Sequence, residues 1–127
     1  MNFRANLAIE RFLIYSIILL FMVACSTKEP VLYKDGNPLS ITDYEKVAQK
    51  EFDEGRYKNA IAVYQAIIDN YPENQSAKAW AYYEIGYCYY AMEDYQQAEI
   101  YFRKVLNEYQ EPAAKALAEK MLGKLKK

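Results

Sequence analysis

Seven positions of the chain recur at one spacing. Tyr44, Val47, Ala48, Tyr57, Ala60, Tyr64 and Ile67 superpose on Tyr82, Ile85, Gly86, Tyr95, Ala98, Phe102 and Val105, each pair being 38 residues apart. A unit of this length cannot bury its apolar face alone, so successive copies must stack and share a core. Within each copy the apolar residues recur at three and four rather than at two, which is the period of a helix. The repeat therefore calls for an all-α chain whose helical copies stack on one another.

Helix ends are marked by residues with a mechanical reason to be there. Thr42 stands three residues before Glu45, the spacing of a capping box, and is taken as the start of the folded domain. Pro72 pushes the residue before it out of helical geometry and so closes the first hairpin. Asp94 is placed to cap the helix that begins at Tyr95, and Pro112 fits the first turn of a fifth helix. These signals predict helices over about 42–54, 57–70, 75–91, 95–109 and 112–125. Leu122 and Gly123 echo Ile85 and Gly86, which makes the fifth helix the first half of a third copy acting as a C-terminal capping helix.

The same residues argue for the type required at each position. Ala48, Gly86, Ala60 and Ala98 are small where paired helices must approach closely, and Tyr64 and Phe102 fill the space between pairs. Cys88 lies within the apolar pattern and reads as a small buried hydrophobe rather than a redox thiol.

Enzymatic readings find no support. The chain has no histidine, which removes His-based zinc sites, Ser-His-Asp triads and Cys-His dyads. No Gly-rich phosphate loop or metal-ligand spacing is present, and Glu45, Glu51, Asp53 and Glu54 read as a solvated charged run. No catalytic residue, metal site or cofactor is expected. With 16 basic and 17 acidic residues, the chain carries no nucleic-acid footprint.

The motif within each copy resembles the tetratricopeptide repeat, W-x2-L-G-x2-Y followed by A-x3-F and then Pro. Tyr82, Ile85, Gly86 and Tyr89, then Ala98 and Phe102, carry the resemblance in the second copy. The first copy has Tyr44, Val47, Ala48, Ala60, Tyr64 and Pro72, with Glu51 where the second Tyr would stand. The YPENQSAKAWAYYEIGYCYY stretch also looks like periplasmic repeat lipoproteins of the barrel-assembly and Tol-Pal accessory type. The resemblance implies about two repeats plus a cap, and an adaptor or scaffold that binds a protein or peptide segment in the groove lined by each first helix.

Ahead of the repeats, Phe12 to Ala24 run as FLIYSIILLFMVA behind Arg4 and Arg11, the n-region and h-region of an export signal. The run is shorter than the roughly 18 to 20 residues of a membrane-spanning helix. Met22, Val23, Ala24 and Cys25 resemble a bacterial lipobox, which implies cleavage before Cys25 and its acylation, for example with palmitate. An ordinary signal peptide cut elsewhere and an uncleaved anchor remain open beside this. The expected division is a lipoprotein signal peptide at 1–24, lipidated Cys25 and a flexible tether through 41, and a repeat domain at 42–127. Ser26 follows the cysteine, where an Asp favours inner-membrane retention in enteric bacteria. The resemblance thus implies a lipid-anchored protein of the cell envelope, at the outer membrane and facing the periplasm. Ser26 to Ser40, with two Pro, one Gly and no apolar period, reads as a tether reaching roughly 50 Å.

Trp80, Tyr83, Tyr87 and Tyr90 are spaced three and four apart on a face distinct from Tyr82, Ile85, Gly86 and Tyr89. This second aromatic face is either groove wall or core. As groove, it lies between Glu45, Gln49 and Asp53 on one side and Lys120, Lys124 and Lys127 on the other, an order that would orient an extended peptide. On that reading, replacing Tyr83 and Tyr87 by Ala weakens binding and spares the melt. A self-associating structural subunit is the competing function, because two repeats and a cap are near the lower size for stability.

Overall fold

The computed structural model describes residues 28–126, so the signal segment, Cys25 and Lys127 lie outside the described residues. Among the described residues five helices follow one another: α1 (Ile41–Asp53), α2 (Tyr57–Asn70), α3 (Gln75–Ala91), α4 (Tyr95–Glu108) and α5 (Pro112–Leu125). Each helix packs on its successor, and α3 also meets α5. The expected all-α hairpin stack is present, with boundaries within two residues of those read from caps and prolines.

The caps act as their chemistry requires, with one shift. Asp94 Oδ1 accepts from Gln97 N at 3.1 Å, and Asn74 Oδ1 accepts from Ala77 N at 2.9 Å. Tyr71, forced off helical geometry by Pro72, is the C-cap of α2, and Pro112 occupies the first turn of α5. α1, however, is capped by Ser40 rather than Thr42: Ser40 is extended, and its Oγ accepts from Asp43 N at 3.2 Å while donating to Asp43 Oδ2 at 2.8 Å. Asp43 takes the role expected of Glu45, and Thr42 sits inside the first turn.

Both hairpins turn in the same way. After α1, Arg56 N donates to Glu51 O at 2.8 Å and Gly55 N to Phe52 O at 2.9 Å. After α3, Asp94 N donates to Tyr89 O and Glu93 N to Tyr90 O, both at 3.0 Å. Gly55 and Glu93 hold the left-handed position, at φ 72° and 62°. The spacing of 38 thus repeats the backbone as well as the side chains.

The core has two parts, one on each side of α3. Tyr44, Ala48, Val63, Ile67 and Ile85 are buried in the first, and Ala98, Phe102, Val105, Ala114 and Ala118 in the second. α3 contributes Cys88 to the first and Tyr83 to the second, which is why it is apolar around much of its circumference. Cys88 is fully buried, and burial with Glu84 nearby pushes its thiol up to about 12, consistent with a packing role.

The segment before α1 differs from a free tether. Tyr33–Lys34 (β1) and Asn37–Pro38 (β2) pair antiparallel across Asp35 and Gly36, whose φ values of 52° and 79° suit the primed turn that Asp-Gly favours. Tyr44 Oη donates to Leu32 O at 2.8 Å, Tyr71 Oη to Leu39 O at 2.7 Å and Asn59 Nδ2 to Lys28 O at 3.1 Å. Leu32 and Leu39 pack against the first core. From Lys28 onward the segment is a strap along α1 and α2.

Glu51 also departs from expectation. It is 7% exposed, and its carboxylate accepts from Arg56 Nε at 2.6 Å, Arg56 Nη2 at 3.0 Å and Asn59 Nδ2 at 2.8 Å. Arg56 also pairs with Glu54. Where the second copy stacks Tyr89 on Tyr101, the first copy satisfies the same turn with an ion pair.

Candidate functional site

An open cavity of about 190 Å³ lies between α1 and α3. α1 contributes Glu45 and Gln49, one turn apart on its exposed side, and α3 contributes Ala77, Trp80, Ala81 and Glu84. Tyr64 and Ile67 of α2 complete the lining. The alanines let the cavity exist, since larger side chains at 77 and 81 would occupy it.

Its electrostatics are one-sided. Glu84 is half-buried, and burial pushes its carboxyl up to about 7, with the Glu45 carboxylate pushing the same way. The Tyr64 hydroxyl is also raised, first by burial and then by Glu84. Five ion pairs form among the described residues, and neither Glu45 nor Glu84 belongs to any of them.

The sequence-predicted groove residues divide. Glu45, Gln49 and Trp80 line the cavity together. Tyr83 is 8% exposed and lies 5.7 Å from the Phe102 ring, so it is core. Tyr87 is half-buried, stacked between Phe52 of α1 at 5.5 Å and Tyr83 at 6.4 Å. Tyr90 continues the row, 6.1 Å from Tyr87 and 5.6 Å from Tyr95. Lys120 and Lys124 are exposed on α5 and do not line the cavity.

A family model for the tetratricopeptide repeat matches residues 39–111, more than half of the chain. The chain belongs to the tetratricopeptide repeat family. The match runs from just before α1 to just before α5, so two tetratricopeptide repeats stand with α5 as a cap. Comparison with curated proteins found no match, and neither did comparison with solved structures. Tetratricopeptide repeats are typically non-catalytic modules that bind other proteins, and the α1–α3 cavity lies between the first helices of the two copies.

Sequence reasoning missed Glu84. It stands one helical turn after Trp80, a carboxylate within an aromatic helix face. That placement was the available signal, because a charge there must be paired, half-wet or aimed into a cavity.

Proposed function

We propose that this tetratricopeptide repeat domain is a non-enzymatic adaptor that binds a segment of another protein at the α1–α3 cavity. The observation that carries this reading is the cavity itself, built from Trp80 and from Glu45 and Glu84, which form no ion pair among the described residues, on the first helices of adjacent repeats. We further propose that acylated Cys25 holds it on a bacterial envelope membrane, at the outer membrane facing the periplasm, in complexes of the barrel-assembly or Tol-Pal accessory kind. The lipobox-like Met22–Cys25 stretch supports the acylation, and Ser26 in place of an Asp supports the outer membrane.

The strap changes the geometry of such an anchor. With Lys28 O bound to Asn59, residues 25–27 alone separate the lipid from the folded domain, a reach of at most roughly 11 Å rather than 50 Å. The repeats would then work close to the headgroups. Labelling with palmitate, followed by capture from membranes with the full-length protein as bait, tests both parts. Label on wild type and none on Cys25→Ala, with a captured partner protein, is expected. Equal labelling contradicts the anchor, and absence of any captured partner contradicts the adaptor.

One observation favours self-association as the second reading. A Cβ at Gly123 would meet nothing within 4 Å, whereas the corresponding position at Gly86 is pressed by Phe102 of the next helix. The open side of α5 is the place a second copy would use. Concentration-dependent mass in light scattering would support it.

A further inference from the structure

We propose that the α1–α3 cavity receives an arginine side chain of the partner segment, its guanidinium against Glu84 and Glu45 and its stem along Trp80. This deepens the adaptor reading and rests on it.

Charge is the first argument. The groups facing Glu84 are Glu45 and Gln49 from α1, Tyr64 from α2, and Trp80 and Cys88 on its own helix, and none is cationic. Two lysines beside lining residues are engaged elsewhere, Lys46 with Asp43 at 3.5 Å and Lys78 with Pro72 O at 3.2 Å. A half-buried carboxylate repelled by a second one is relieved by an entering cation and worsened by an apolar or anionic side chain. Those two acids select the sign of the ligand.

Shape is the second. Trp80 and Glu84 are one turn apart on α3, so a side chain entering between them meets an aromatic surface and a carboxylate together. Ile67, Ala77 and Ala81 offer an apolar wall for a methylene stem. Guanidinium satisfies all three features, since it stacks on indole, is less strongly hydrated than ammonium and bridges carboxylates through several donors. Lysine should bind more weakly, and the neutral isostere glutamine should not bind.

Trp80 is the only tryptophan of the 127 residues, so its fluorescence reports the cavity directly. The experiment titrates full-length protein in detergent micelles with the blocked pentapeptide acetyl-Gly-Ala-Arg-Ala-Gly-amide and its Lys and Gln versions at low salt. A saturable change with the Arg peptide is expected, several-fold weaker with Lys and at least about tenfold weaker with Gln. Glu84→Gln should weaken the Arg peptide about tenfold while its melting temperature stays at or above that of wild type. Equal responses to Arg and Gln peptides, no saturable response to Arg, or unchanged affinity in Glu84→Gln would overturn the inference. Failures are separable: a membrane partner captured equally by wild type and Glu84→Gln sinks this inference and leaves the adaptor reading standing. Arg-peptide binding with no captured partner does the reverse.

Discussion

The ring of Phe102 rests on the bare backbone of Gly86, so closely that a Cβ built on Gly86 would lie 2.8 Å from Cε1. Phe102 is fully buried and packs against Tyr83 at 5.7 Å, so a shift of its ring disturbs the second core. Gly86→Ala should therefore destabilise the domain by about 1–3 kcal/mol despite alanine's better helix propensity. Gly123→Ala, with nothing within 4 Å, should gain up to about 1 kcal/mol. Urea melts of the two variants check the contrast.

Glu93 holds at φ 62° the left-handed turn that Gly55 holds in the first copy. A non-glycine residue there carries a steric cost, and the exposed Glu93 side chain forms no hydrogen bond or ion pair among the described residues. Glu93→Gly is expected to be neutral to stabilising, by up to about 1 kcal/mol. Differential scanning calorimetry measures it.

Two glutamates should tilt stability with pH in opposite directions. The Arg56 guanidinium holds the Glu51 carboxyl below its ordinary value, so its contribution is full above the unfolded value and lost as pH falls through the folded one. Glu84 is shifted the other way, to about 7, so its charged form costs stability that is absent in acid and grows as pH rises from about 4.5 to 7. Glu51→Gln should therefore be destabilising at pH 7 and progressively less so as pH falls through the acid range. Glu84→Gln should stabilise by about 1–3 kcal/mol at pH 8 and by little at pH 4. Chemical unfolding across that range reads both.

Tyr83 and Tyr87 separate once burial is known. Tyr83→Ala removes a ring packed on Phe102 and should cost about 3–5 kcal/mol. Tyr87→Ala, at a half-buried ring, should cost less. The double variant is expected to lose its cooperative thermal transition, so it cannot report on binding, and Trp80→Ala and Glu84→Gln are the informative changes at this face.

Much of the fold was legible because the signals were local and repeated. The recurrence of Tyr44 through Ile67 at Tyr82 through Val105 forced stacking, and Pro72, Asp94 and Pro112 placed helix ends to within two residues. The strap read as a free tether, since its docking depends on Tyr44 and Tyr71, whose hydroxyls meet Leu32 and Leu39 carbonyls across the chain. Glu51 looked solvated because its neighbours Asp53 and Glu54 are, while its partners Arg56 and Asn59 reach it only after the turn closes. At the candidate site, helical spacing grouped Trp80 with Tyr83 but could not say which side of α3 faced α1. Glu84 became visible as part of a cavity only when the two first helices were set beside each other.

Site-specific photocrosslinking tests the adaptor reading most directly. A benzoylphenylalanine replaces either Gln49, on the cavity rim, or Ile100, which is 53% exposed on α4, in the full-length protein in its own membrane. A discrete adduct with another protein from the Gln49 position and none from Ile100 is expected, with the adduct lost in Glu84→Gln if arginine is the anchor. Adducts of equal yield from both positions, or adducts only with further copies of the same chain, would contradict a protein-binding groove between α1 and α3.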